Sequence, residues 1–161
     1  MNYLAPKIFI VEDDALYAEM VVHKLASHRF GNVQVFNSGE AFEQHLHQMP
    51  DIVLLDYHLG DADGVAILKK IKAFNPNIQV ILLSAQDRME VAVSSLKYGA
   101  FDYLEKNEES FTKLVHLIGR ICLLNEELQQ QSKRSIFQGR LKKVAVGISL
   151  FLTGLMLLSI L

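Results

Sequence analysis

A chain of 161 residues is long enough for one domain with a real core and too short for two ordinary domains and a linker. Half of its residues are hydrophobic, more than a small soluble α/β domain needs, and the excess gathers at the C-terminus. The formal charge of −2 hides a segregation, because residues 1–131 carry 11 basic against 18 acidic side chains and every later charge is basic; so acidic a domain is not expected to bind nucleic acid.

In chain order, the β-branched run 8–11 ends at once in Glu12, Asp13 and Asp14, too short for a targeting leader, so the folded part is expected in the cytoplasm. A helix is predicted over 15–27, a strand over 33–36, a helix over 39–48 and a strand over 52–55. Further on come a helix over 65–74, a strand over 80–83, a helix over 89–98, a strand over 102–104 and a longer helix opening near Glu108. Gly31, Ser38, Pro50, Pro76 and Gly99 punctuate the joins. Five βα units of this kind form a five-stranded parallel sheet with five helices, and the nearly continuous apolar runs of the first, third and fourth strands mark them as central. Cys122, the lone cysteine, excludes an intrachain disulfide and reads as a small buried hydrophobe among Ile121, Leu123 and Leu124.

Leu114, Leu117, Ile121, Leu124 and Leu128 extend a 3,4 spacing past the fifth unit. That stripe either packs on its own domain or pairs two copies of the chain as a homodimer. The pattern is lost from Gln129 to Ser132, which reads as a hinge opening a basic linker over 129–143 that contains Lys133, Arg134, Arg140, Lys142 and Lys143. Residues 144–161 then carry no charge over 18 positions, about 27 Å of helix at 1.5 Å per residue, against a hydrocarbon core of roughly 30 Å. A single-pass C-terminal transmembrane helix is expected there, with the basic linker and the domain on the cytoplasmic side and no further domain beyond it. The same cations suit anionic headgroups.

Three carboxylates fall where strands end: Glu12 and Asp13 after the first, Asp56 after the third. In a doubly wound sheet of order 2-1-3-4-5 these strands are neighbours, and their carboxyl ends form the crevice at the topological switch point. Clustered carboxylates raise one another's proton affinity unless a cation neutralises them, and three oxygens with water suit a hard divalent ion such as Mg²⁺. Ser84 after the fourth strand offers a hydroxyl, Lys106 after the fifth a compact cation, and an aspartate can hold an acyl phosphate. Asp14 is better read as an acid at a helix start.

The motifs Val11-Glu12-Asp13-Asp14, Asp51-Ile52-Val53-Leu54-Leu55-Asp56, Ser84-Ala85 and Asp102-Tyr103-Leu104-Glu105-Lys106, each at the end of a predicted strand, resemble the receiver domain of two-component response regulators. The resemblance covers residues 1–128 and implies a flavodoxin-like receiver fold. It implies that Asp56 is the phosphoacceptor, that Glu12, Asp13, Asp56 and the main-chain carbonyl of His58 hold Mg²⁺, and that Ser84 and Lys106 grip the phosphoryl group. Tyr103 is then the aromatic that swings inward as Ser84 moves, and Ala85 leaves room for the phosphate. The implied partners are a sensor histidine kinase or phosphotransfer protein and an output protein that the sequence does not name. The chain departs from the family at Gly60 and at Asn107, where proline is usual, and the loop after Lys106 is expected to take its own path because a cis bond is costly before a non-proline residue. His58 and Gln86 would lie beside the acyl phosphate and tune its hydrolysis.

A membrane-tethered single-domain response regulator is therefore the leading expectation, a phosphoacceptor and not an enzyme in its own right. A phosphatase working through an aspartyl phosphate would need a second acid two residues after the nucleophile, where His58 stands. A phosphorylation-independent membrane adaptor is the alternative, with Gly147 and Gly154 spaced for helix packing.

Overall fold

The structure, a computed structural model, describes residues 5–60, 62–86 and 89–158, with the side chains of residues 62, 139, 140 and 144–158 outside that description. Its main sheet holds β1 (Ile8–Val11), β2 (Val33–Phe36), β3 (Ile52–Asp56), β6 (Gln79–Ser84) and β7 (Asp102–Glu105), all parallel, in the order β2-β1-β3-β6-β7. The expected order 2-1-3-4-5 counts five strands; a two-stranded hairpin, β4 (His58–Leu59) with β5 (Ala62–Asp63), enters the chain after β3 and shifts the later numbers. No residue of β1 or β3 is exposed, whereas β2 and β7 at the two edges each keep an exposed residue and only one buried one. That is the difference the apolar runs foretell, since strands covered on both faces cannot alternate with polar residues.

The helices are α1 (Ala15–Ser27), α2 (Gly39–His45) with a 3₁₀ turn Leu46–Gln48 behind it, α3 (Gly64–Phe74), α4 (Met89–Lys97) and α5 (Glu108–Leu158). The first three open on side-chain caps: Asp14 accepts from the Leu16 and Tyr17 amides, Ser38 from Ala41 and Asp63 from Val65. Val21 and Leu25 of α1, Leu68 and Ile71 of α3, and Ile118 of α5 are all fully buried.

The chain forms two compact units, Met1–Ile121 and Cys122–Leu161. In the first unit Leu114, Leu117 and Ile121 are buried as the stripe predicts; in the second, Leu124 and Leu128 are 45% and 63% exposed. Within the first unit, packing on its own domain accounts for Leu114, Leu117 and Ile121. Cys122 is half-buried, not buried. The expected hinge is absent as a break, because residues 129–132 are helical and α5 continues through them. Among the described residues no helix is long and apolar enough to cross a membrane, so the structure lends the expected anchor over residues 144–161 no support. The side chains of that run, and residues 159–161 entirely, lie outside the described residues.

Candidate functional site

Register assembles the site. Val11 pairs with Leu55, so the next residues, Glu12 and Asp56, stand side by side at the carboxyl end of the sheet. Asp56 pairs in turn with Leu83, which puts Ser84 one step further along β6, and Ser84 pairs with Glu105, which puts Lys106 just beyond β7. Four residues far apart in sequence are gathered by three strand pairings alone.

The Lys106 ammonium is the centre of the cluster. It donates to Glu12 Oε1 at 2.8 Å and to Asp56 Oδ2 at 2.7 Å, and lies 2.6 Å from Glu12 Oε2 without hydrogen-bond geometry to it. Glu12 and Asp56 are 1% and 4% exposed, and the lysine side chain is 12% exposed, so this is an interior triad rather than a surface pair. Burial pushes the Glu12 carboxyl up to about 7; the Lys106 hydrogen bond pulls it back, and the neighbouring charge of Asp56 adds to the rise. The second oxygen of Asp56 accepts from the His58 amide at 3.1 Å.

Asp13 is exposed at the rim, with Oδ2 accepting from the Gly60 amide at 3.1 Å. Gly60 turns the β4–β5 hairpin with φ of +57°, a conformation closed to proline, and its N–H is one that proline lacks. The substitution at this position thus gives Asp13 a partner. Asn107, the other departure, caps α5: its side chain accepts from the Ser110 amide at 2.8 Å while the Ser110 hydroxyl accepts from the Asn107 amide at 3.2 Å. The path expected after Lys106 is therefore a reciprocal helix cap, and no cis bond occurs among the described residues.

Carboxylate oxygens of Glu12, Asp13 and Asp56 lie within 4.8 Å of one another. Among the described residues three carboxyl groups face one ammonium in this crevice, and an all-oxygen donor set of this size fits a hard divalent cation. His58 faces Asp56 with its amide; its carbonyl enters no described contact with the cluster.

Ser84 is 1% exposed, and its hydroxyl donates to the Gln86 carbonyl at 3.0 Å. The Tyr103 hydroxyl donates to that same carbonyl at 2.6 Å, so the two residues expected to move together already share an acceptor. Sequence reasoning missed this joint because a main-chain carbonyl has no letter. It also missed Tyr17, whose ring lies under the Lys106 ammonium at 4.7 Å from the centroid. The available signal was the turn spacing of α1, which places Tyr17 beside Ala18 and Val21 on the inward side.

Residues 8–118 match the family model "Response regulator receiver domain", over two thirds of the chain. The chain belongs to the response regulator receiver domain family. Similar to it are the transcriptional regulatory protein ZraR of Escherichia coli strain K12, 42% identical over 100 residues (62% of this chain, 22% of that one), and the DNA-binding transcriptional regulator NtrC of the same strain, 32% identical over 123 residues (76% and 26%). This receiver thus aligns with about a quarter of the length of those relatives. The BeF3-activated DrrB receiver domain shares its fold with a TM-score of 0.63 at 29% identity, over 72% of this chain and 99% of that one.

Proposed function

We propose that this receiver accepts a phosphoryl group on Asp56 from a phosphohistidine of a sensor kinase or phosphotransfer protein, and passes the change to a protein partner through Ser84 and Tyr103. The observation that carries the reading is the Lys106 ammonium bonded at once to Glu12 and Asp56 at the carboxyl ends of the central strands. In the reaction a carboxylate oxygen of Asp56 bonds to phosphorus while the P–N bond breaks and the imidazole nitrogen departs with its electron pair. Lys106 holds the nucleophile in place and then meets the charge of the transferred group. Glu12, Asp13, Asp56 and the His58 carbonyl would hold Mg²⁺, which when bound supplies further positive charge beside the phosphoryl oxygens.

Ser84 is poised to exchange one acceptor for another. Its hydroxyl leaves the Gln86 carbonyl to donate to a phosphoryl oxygen, and the Tyr103 hydroxyl on that carbonyl registers the departure. The names of ZraR and NtrC describe transcriptional regulators. The alignments reach only about a quarter of those proteins, so their output is not carried over to this chain. We also place the chain at the cytoplasmic face of a membrane, a reading supported by the uncharged residues 144–161 behind a basic stretch.

The test is intact mass spectrometry of the full chain with Mg²⁺ and acetyl phosphate. One phosphoryl group should add to the wild type and none to Asp56→Asn. A folded wild-type chain that gains nothing, from this donor or from a phosphorylated histidine protein, would overturn the proposal in favour of an adaptor.

A further inference from the structure

Building on the phosphoacceptor reading, we infer that Tyr17 is a positioning residue for phosphoryl transfer: the face of its ring seats the Lys106 ammonium. The ring centroid is 4.7 Å from Nζ, within the range at which a cation is drawn to an aromatic face. The other two sides of the seat are Glu12 and Asp56, at 2.8 Å and 2.7 Å. A lysine side chain has four rotatable bonds and loses much freedom when held in one place, so each wall that restricts it contributes to catalysis by orientation.

The three walls are not equivalent. Both carboxylates are also candidate ligands of a divalent cation, and a cation bound to them weakens their hold on the ammonium and repels it. The ring carries no charge and binds no hard metal ion. It is therefore the one wall whose attraction survives when the carboxylates are engaged elsewhere. The ring is itself fixed from two elements: α1 carries it, and Phe111 of α5 packs against it with centroids 5.6 Å apart and planes 30° from parallel. Phe111 follows Ser110, the residue that closes the cap with Asn107 directly after Lys106.

The test compares full-length wild type, Tyr17→Phe, Tyr17→Leu, Lys106→Ala and the Tyr17→Leu/Lys106→Ala double variant. Phosphorylation rates are read with Mg²⁺ and acetyl phosphate, and lysine ε-methylene proton shifts are read without metal. Tyr17→Leu should slow uptake about fivefold to tenfold, as loss of a partly desolvated cation–π contact implies. Tyr17→Phe, which keeps the ring, should stay within about twofold of wild type, and Tyr17→Leu should add nothing once Lys106 is alanine. A Lys106 methylene shifted upfield by the ring in wild type and Tyr17→Phe should return to the ordinary lysine position in Tyr17→Leu. A wild type that takes up no phosphoryl group overturns the phosphoacceptor reading and this inference with it. Normal wild-type uptake with an equally fast Tyr17→Leu, an equal slowing in the Lys106→Ala background, or no upfield shift overturns the inference alone and leaves Tyr17 as packing between α1 and α5.

Discussion

Glu12 carries a proton to a higher pH than an exposed glutamate would, because its burial outweighs the help of Lys106. Its folded value of about 7 lies above the ordinary 4.5, so between those two pH values the folded chain holds a proton that the unfolded chain releases. Stability should therefore be full below about 4.5 and fall as pH rises toward about 7. Urea melts at pH 5 and pH 7.5 without divalent cations should show that fall in wild type and a flatter profile in Glu12→Gln; equal slopes in the two would refute it. Lys106→Met tests the same triad from the other side. Two buried carboxylates lose their shared cation, at a cost of about 3 kcal/mol near pH 8 that shrinks toward pH 5, where Glu12 can protonate. At this scale the sequence was legible at the strand ends, where Glu12, Asp56, Ser84 and Lys106 converge as their positions require, but not at Tyr17, whose ring reaches Lys106 from within α1. The residue letters gave no sign of the His58 amide at Asp56 or of the Gln86 carbonyl between Ser84 and Tyr103.

Between residues and the whole lie the elements, and there the central strands declared themselves while the hairpin did not. β4 and β5 are two residues each, too short to show any alternation, and their turn rests on the positive φ of Gly60 rather than on a periodic signal. Directly after them α3 starts at Gly64 under a close approach of chain to chain. A Cβ there would stand 2.6 Å from the Asp56 carbonyl oxygen and 2.8 Å from the Tyr57 Cα, both backbone atoms that cannot turn aside. Gly64→Ala should cost about 2 kcal/mol of stability by overpacking. Because the displaced backbone belongs to Asp56 itself, phosphorylation should slow as well. Thermal melts and mass-spectrometric uptake measured together check this, and a variant that melts and reacts like wild type would show that the strand end yields freely.

For the whole molecule, the divide at Ile121 separates a unit with its own core from one whose described part is helix. The sequence suggested a hinge from 129 to 132 because apolar periodicity stops there. Helical hydrogen bonds do not need that periodicity, however, and Gln, Lys and Arg sustain a helix well, so the chain stays helical through the polar stretch. In this second unit Ile136, Phe137 and Leu141 are each more than half exposed, interleaved with cations and followed by the uncharged residues 144–161. Apolar side chains left in water cost roughly 25 cal/mol per Å², and a bilayer with anionic headgroups would cover them while pairing Lys133, Arg134, Lys142 and Lys143. The full chain should therefore sediment with membranes and resist carbonate extraction, whereas a chain lacking residues 144–161 should move to the soluble fraction or be released by salt. A full chain recovered in the soluble fraction would end the tethering proposal, and a truncated chain still resistant to carbonate would move the anchor elsewhere. Either way uptake at Asp56 should be unchanged by the truncation, since among the described residues the groups that bond to the acceptor, the His58 amide and the Lys106 ammonium, lie before residue 108.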